Sequence, residues 1–285
     1  MSVSIRPLNG ISLQLLYEAF NAAFATYSRQ WTEDEFINML ERRGYRAELS
    51  FGAFDQDKPV SFLLNGAGVF NGVLTAYDTG TGTLKEYENR GLARQLFEAA
   101  VPALKEAGMQ QYLLEVLTDN TRAISIYTKA GFKSTRMLHY FTADIKGITI
   151  SGSNKLLGKF STRETVLNVN AMRALCDFEP SWQNSFDSLK RSMNKFKILG
   201  VYQDEELVAY GIIEPLSGDI PQLAVSKFHR RKGIGSLLLT QLLQYNKHPG
   251  VKMINADERC ESLLLFLEKA GITKRGSQYE MMLSL

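Results

Sequence analysis

Cysteine and histidine are scarce. There are two of the first, Cys176 and Cys260, and three of the second, His139, His229 and His248, in 285 residues. The cysteines lie far apart, so no disulfide framework or metal-ligand spacing arises, and a reducing compartment fits. The histidines form no ligand pattern either, so no metal is expected. No apolar run reaches the roughly 18 residues that would cross a bilayer. The N-terminus lacks a basic segment followed by an apolar one. These absences predict a cytoplasmic protein without membrane partners. A net charge of +3 is too small to point to nucleic acid. What is present is ordinary for a globular protein, 45% apolar and 22% charged, over a length that suits two domains better than one.

The chain is organised around Tyr87-Glu88-Asn89-Arg90-Gly91-Leu92-Ala93-Arg94-Gln95-Leu96. A Gly/Thr-rich extended stretch, 75–84, precedes it. Leu92, Leu96, Phe97, Ala100, Val101 and Leu104 follow with helical spacing. A strand therefore runs into a tight turn that opens a helix. The first helical turn carries N–H groups without intrahelical partners, and the helix dipole adds partial positive charge. Gly91 and Ala93 are small and let a ligand approach the backbone. The arrangement predicts a seat for a phosphate or pyrophosphate.

Around this core the pattern predicts an edge strand over 4–8 and a helix over 11–27. Thr32 and Glu35 make a capping box for a second helix ending near Arg43. Strands over 47–54 and 60–64 flank the turn Asp55-Gln56-Asp57-Lys58. Gly108 is a natural residue to follow the central helix, while Pro102 inside it should kink or shorten its last turns. A strand over 111–117, a helix capped by Asp119 or Asn120 and stopped by Gly131, and a strand over 132–141 complete a mixed α/β layer.

The second half repeats the first. His229-Arg230-Arg231-Lys232-Gly233-Ile234-Gly235-Ser236 matches the first turn when Gly233 is set on Gly91, an offset of 233 − 91 = 142. Ala270-Gly271-Ile272 matches Ala130-Gly131-Phe132, an offset of 271 − 131 = 140. Strands over 197–203, 207–213, 219–225 and 252–255 and a helix over 262–269 fall into place. Gly147, Ser151, Gly152 and Ser153 mark a linker between the copies. Neither Gly80-Thr81-Gly82 nor Lys232-Gly233-Ile234-Gly235-Ser236 has dinucleotide or Walker spacing.

These residues resemble the GCN5-related N-acetyltransferase superfamily. The turn of that family runs Gln or Arg, two residues, Gly, one residue, Gly or Ala. The second half carries it as Arg230, Gly233 and Gly235; the first as Glu88, Gly91 and Ala93, with Glu where Gln or Arg is usual. The first half adds a further family segment, Asn120, Ala123, Tyr127 and Gly131-Phe132. The resemblance implies an α/β fold of two tandem domains, each a central twisted mixed sheet flanked by helices, 1–146 catalytic and 147–285 degenerate. It implies acetyl-CoA as co-substrate and a primary amine, on a small molecule or a peptide, as acceptor that attacks the thioester directly.

It also implies roles. The diphosphate would lie on the amides of the turn, at Gly91, Leu92 and Ala93 or at Gly233, Ile234, Gly235 and Ser236, with Arg90, Arg94, Arg230, Arg231 and Lys232 as the phosphate-facing charges. The pantetheine arm would pair with the preceding strand end, Gly82, Thr83 and Leu84, or Leu223, Ala224 and Val225. Tyr127 would give a proton to the departing thiolate; the same residue also suits a core face shared with Ala123. Asn120 would bind pantetheine amides, or cap its helix. Glu115 would accept the proton of the incoming ammonium, or be an exposed or salt-bridged strand residue. At an offset of 140 the second half has Leu267 for Tyr127 and Cys260 for Asn120, so the first half is expected to be the active one. A non-catalytic acyl-CoA sensor and a purely structural tandem are the competing readings. Acceptor selection is expected near Tyr27, Trp31 and the loop Phe178-Glu179-Pro180-Ser181-Trp182.

Overall fold

The fold was read from a computed structural model in which residues 3–25, 30–150 and 159–285 are described. The elements run β1 (Val3–Pro7), α1 (Leu13–Ala23), α2 (Glu33–Arg43), β2 (Phe51–Asp55), β3 (Lys58–Phe70), β4 (Val73–Thr83), α3 (Leu92–Glu106), β5 (Gln111–Leu117), α4 (Thr121–Lys129) and β6 (Lys133–Asp144). They continue with β7 (Ser161–Glu164), α5 (Val169–Arg173), α6 (Phe186–Arg191), β8 (Lys197–Gln203), β9 (Glu206–Glu214), β10 (Asp219–Val225), α7 (Ile234–Leu243), β11 (Gly250–Asp257), α8 (Glu261–Lys269) and β12 (Thr273–Ser284). Among the described residues no helix is long and apolar enough to cross a membrane.

Two compact units emerge. The first is Met1–Thr135 with Tyr279–Leu285; the second is Arg136–Gln278. In the first, the strands lie in the order β1-β2-β3-β4-β5 with the end of β12 beside β5. Met281 is 3% exposed and packs into the core that holds Leu96, Phe97 and Phe132. A second cluster under α1 and α2 contains Phe20, Phe36, Phe54 and Phe62. In the second unit the order is β6-β11-β10-β9-β8-β7, over a core that includes Leu238, Leu242, Met253 and Leu267.

The strand expected over 132–141 forms, as β6, but its antiparallel partner is β11, within the second unit. The compact units therefore divide at Thr135 rather than after residue 146, and residues 151–158 of the expected linker fall outside the described residues. The physical reason lies in the repeat itself. β12 starts 273 − 133 = 140 residues after β6, so the two are equivalent strands of the repeat.

Local signals act as the chain chemistry requires. Thr32 accepts from the Glu35 N–H at 3.3 Å and Glu35 accepts from the Thr32 N–H at 3.0 Å, a complete capping box. Pro102 does not shorten α3, which runs to Glu106 with the Ala107 N–H still donating to the Ala103 carbonyl. Strand β3 extends six residues beyond the expected end at Leu64. It turns at Asn71-Gly72, both in the left-handed region (φ +52° and +79°), a two-residue hairpin suited to the sheet twist. Met281→Ala should destabilise the protein by about 2–5 kcal/mol through the cavity it leaves. A lowered denaturation midpoint with an unchanged slope would register it.

Candidate functional site

In each unit the sheet forks beside the turn. Strand β4 pairs in parallel with β5 at Thr75↔Gln111, Ala76↔Tyr112 and Tyr77↔Leu113, and the ladder goes no further. Its other edge stays paired with β3 as far as Ser61↔Thr83, with a bulge between Asp78 and Gly80. From Asp78 on, the edge that faced β5 is free of a strand partner. In the second unit, β10 pairs with β11 only at Asp219↔Lys252, while its β9 edge holds to Val225↔Ala209. An opened parallel pair exposes main-chain donors and acceptors that need partners of another kind.

The turns follow. Gly91 (φ +73°) and Gly233 (φ +89°) are left-handed and begin α3 and α7 without any side-chain cap. The first intrahelical bonds are Gln95 N–H to Gly91 O and Leu237 N–H to Gly233 O, so the N–H groups of residues 92–94 and 234–236 have no helical acceptor. A Cβ on Gly91 would meet nothing nearer than Gln95 Nε2 at 3.9 Å. The seat lies open to an anion. Beside the first turn runs a groove of about 940 Å³ lined by Thr83, Gly91, Ala93, Arg94, Arg122 and Ile126. Beside the second is a cavity of about 410 Å³ reaching from Arg231 and Ser236 past Val225 to Gln222, Asn255 and Cys176.

The charged side chains expected to face a phosphate are largely engaged elsewhere. Arg90 lies over the Tyr87 ring at 4.6 Å and donates to the Glu86 carbonyl at 2.8 Å. Arg94 pairs with Glu98 at 2.7 Å. Arg230 donates to Asp177 Oδ2 at 2.6 Å and to the Val225 carbonyl at 3.0 Å. Arg231 is exposed and lines the cavity. Glu88, the departure from the family turn, is neutralised by Arg122 of α4 at 2.7 Å. Gly82 is dictated by packing, since a Cβ there would lie 2.4 Å from the Phe62 ring. Thr83 shares a 2.7 Å hydrogen bond with Ser61, and Leu84 is buried.

Asn120 caps α4, accepting from the Ala123 N–H at 3.1 Å. Glu115, on β5, accepts the Tyr77 hydroxyl. Burial and then the Glu115 charge push the Tyr77 phenol well above its ordinary range. Tyr127 is buried edge-on to Phe97 at 5.5 Å and donates to Asp78 Oδ2 at 3.4 Å. Asp78 is the functional candidate that sequence reasoning passed over. It lies in the Gly/Thr-rich stretch read as the strand before the turn, where nothing local singles out a carboxylate, and only the fork reveals it. Burial pushes its carboxyl up to about 6, against the hydroxyls of Thr81 and Tyr127, the Gly80 amide and the more distant Arg43, all of which favour the charge. Consecutive residues of a strand point to opposite faces. Tyr77 and Asp78, at the fork, thus hold Glu115 on one face and Tyr127 on the other.

The second unit has the frame without these groups. Leu267 is buried in the core and Cys260 starts α8 without a cap bond. Pairing Tyr77↔Leu113 and Asp219↔Lys252 sets Glu115 against Ile254. Its cavity ends in a neutral chain instead: Cys176 and Tyr210 share a 3.0 Å hydrogen bond, Tyr210 donates to Gln222 at 2.8 Å, and Gln222 donates to the Asn184 carbonyl at 2.6 Å. Of the aromatics expected near an acceptor, Trp31 packs on Phe20 at 5.8 Å, Trp182 is core, Phe178 lines the second cavity, and Tyr27 lies outside the described residues.

A family model described as "Acetyltransferase (GNAT) family" matches residues 14–132 and 170–271. The chain belongs to the acetyltransferase (GNAT) family. Membership implies an acyl-CoA co-substrate, and the open seat and free strand edge of each unit suit its diphosphate and its amide-bearing arm. N-alpha-acetyltransferase 30 of Schizosaccharomyces pombe is 32% identical over 96 residues, 33% of this chain and 64% of its own length. N-alpha-acetyltransferase MAK3 of Arabidopsis thaliana is 30% identical over 95 residues, 33% of this chain and 50% of its own length. The chain thus spans between half and two thirds of these relatives. A tandem GNAT protein from the clavulanic acid biosynthesis pathway matches with a TM-score of 0.73 over 99% of this chain and 98% of its own, at 12% identity, which shows the tandem fold.

The thiols of this GNAT chain should be inert. Burial pushes Cys176 up to about 11 and also raises Cys260. At pH 8 only about one Cys176 in a thousand is thiolate. Iodoacetamide should leave both unlabelled in the native protein and label both in denaturant, as mass spectrometry would show.

Proposed function

We propose that the chain is an acetyl-CoA-dependent N-acetyltransferase whose first unit carries the chemistry on a primary amine. The observation that carries this reading is the pairing at the fork, Tyr77 with Glu115 on one face and Asp78 with Tyr127 on the other. When bound, the thioester supplies an electrophilic acyl carbon and a thiolate leaving group. Everything else falls to the chain. The amides of residues 92–94 seat the diphosphate, and the free edge of β4 from Asp78 to Thr83 pairs with the arm. Glu115 takes a proton from the incoming ammonium, held in place by the Tyr77 hydroxyl. Tyr127, on the other face, gives a proton to the departing sulfur. The relatives named as N-alpha-acetyltransferases support an α-amine on a peptide as acceptor.

The second unit, in this reading, holds a CoA thioester without turning it over. Its seat and cavity are formed, but Leu267 and Ile254 cannot carry protons. Calorimetry with CoA would test the division. Gly91→Val and Gly233→Val each force a β-branched residue into a left-handed conformation and put bulk on one seat. Each should remove one binding event, and only Gly91→Val should abolish transfer. Tyr127→Phe should lower kcat about 100-fold or more, measured with a panel of peptide amines. Unchanged turnover would remove Tyr127 from the chemistry.

A further inference from the structure

Asp78 is an expensive residue to bury. It is 7% exposed, and its Oδ1 is buried with no hydrogen-bond partner. All hydroxyl contacts go to the other oxygen: Thr81 at 2.8 Å and Tyr127 at 3.4 Å. The Arg43 charge favours the ionised form from a distance. Arg43, from α2, spends an N–H on the Thr79 carbonyl at 2.7 Å. The remaining titratable neighbours are phenols, Tyr77 on β4 and Tyr112 on β5, and Tyr112 donates to Asn65. An ionised carboxylate so poorly served is driven to keep its proton.

The repeat supplies a second observation. At the offset of the turns, 78 + 142 = 220, the second unit has Ile220; at the offset of the following helix, 127 + 140 = 267, it has Leu267. The unit without the tyrosine is also the unit without the aspartate. At its own register shift β10 places a buried aspartate one position earlier, Asp219, so what the second unit lacks is the aspartate at the position that meets the tyrosine.

We infer that Asp78 is a positioning residue acting through Tyr127, the proton source that restores the Tyr127 hydroxyl as the thiolate leaves. This rests on the reading that Tyr127 protonates the leaving group. The balance closes. The C–N bond forms and the C–S bond breaks, with the nitrogen giving up its protons to Glu115 and water. Sulfur takes the Tyr127 proton, Tyr127 takes the Asp78 proton, and Asp78 is reprotonated from water. Ionisation of Asp78 stops the relay, so kcat falls on the alkaline side.

The native carboxyl holds its proton up to about pH 6, and the unfolded one only to about 4. Raising pH between these values therefore destabilises the fold, and the penalty persists above. Asp78→Asn removes the charge and keeps a polar group of the same shape.

Ligand-free Asp78→Asn should melt a few degrees above wild type at pH 8 and match it near pH 4. With the thioester it should lose at least tenfold in kcat with KM unchanged, and lose the alkaline limb of kcat. Combined with Tyr127→Phe it should cost little beyond either change alone. Thr81→Val, which strips a hydrogen bond favouring the charge, should move the alkaline limb of kcat to higher pH whatever its effect on thioester binding; it also serves as the test should Asp78→Asn fail to fold. Lower melting of Asp78→Asn at pH 8 would make Asp78 a structural group and overturn the inference. So would an unshifted limb in Thr81→Val, or wild-type kcat in Asp78→Asn while Tyr127→Phe is impaired. Full activity of Tyr127→Phe would instead overturn the reading beneath it.

Discussion

Two parallel strands that part after three residue pairs set the terms for everything around them. A parallel ladder is satisfied on both sides only while it lasts. Once β4 leaves β5 after Tyr77, its main chain presents an unpaired edge beside the uncapped start of α3. A side chain reaches part of this stretch: Arg43 donates to Thr79 O. The remaining main-chain groups of this edge have no strand partner among the described residues. The bulge beside Asp78 contributes by shifting register on the β3 side, so that one strand is regular towards β3 and open towards β5.

The two units show what such a frame requires and what it leaves to choice. Both keep the left-handed glycine, the uncapped helix and the short parallel ladder. They differ where the first unit places Asp78, Glu115, Asn120 and Tyr127 and the second has Ile220, Ile254, Cys260 and Leu267. Each of those four changes trades a polar group for a less polar one. Packing offers no reason for the polar set: a buried carboxylate with an orphan oxygen and a phenol in an aromatic cluster cost stability that isoleucine and leucine would not. One copy keeps these groups and the other does without them, although both build the same forked frame.

Much of this was legible in the residues. Period and punctuation placed most helices and strands of the first unit and the turns at Gly91 and Gly233 that open α3 and α7, because those signals are local, while β7, α5, α6 and β12 were not foreseen. The Thr32–Glu35 box could be read before any coordinates. The Asn71-Gly72 hairpin was equally local but was missed, since Gly66 and Gly68 interrupt the alternation of β3. The exchange of β6 and β12 could not be read, because equivalent strands of a repeat carry no label saying which sheet they join. Nor could Asp78: its meaning depends on where β5 turns away, a property of two strands that lie over thirty residues apart.

The electrostatics of the turn follow from the same logic. Glu88 would repel a diphosphate if it stood alone, yet Arg122 on α4 cancels it. Arg230, at the corresponding place in the second unit, would attract one, yet Asp177 cancels that in turn. Opposite charges at one position are thus each brought close to neutrality by a partner drawn from another element. What remains common to both seats is the set of main-chain amides, whose direction is fixed by a left-handed glycine and cannot be screened away as an exposed ion pair can. The side chain at the head of the turn thus differs in sign between the two units, while the glycine three residues on is left-handed in both.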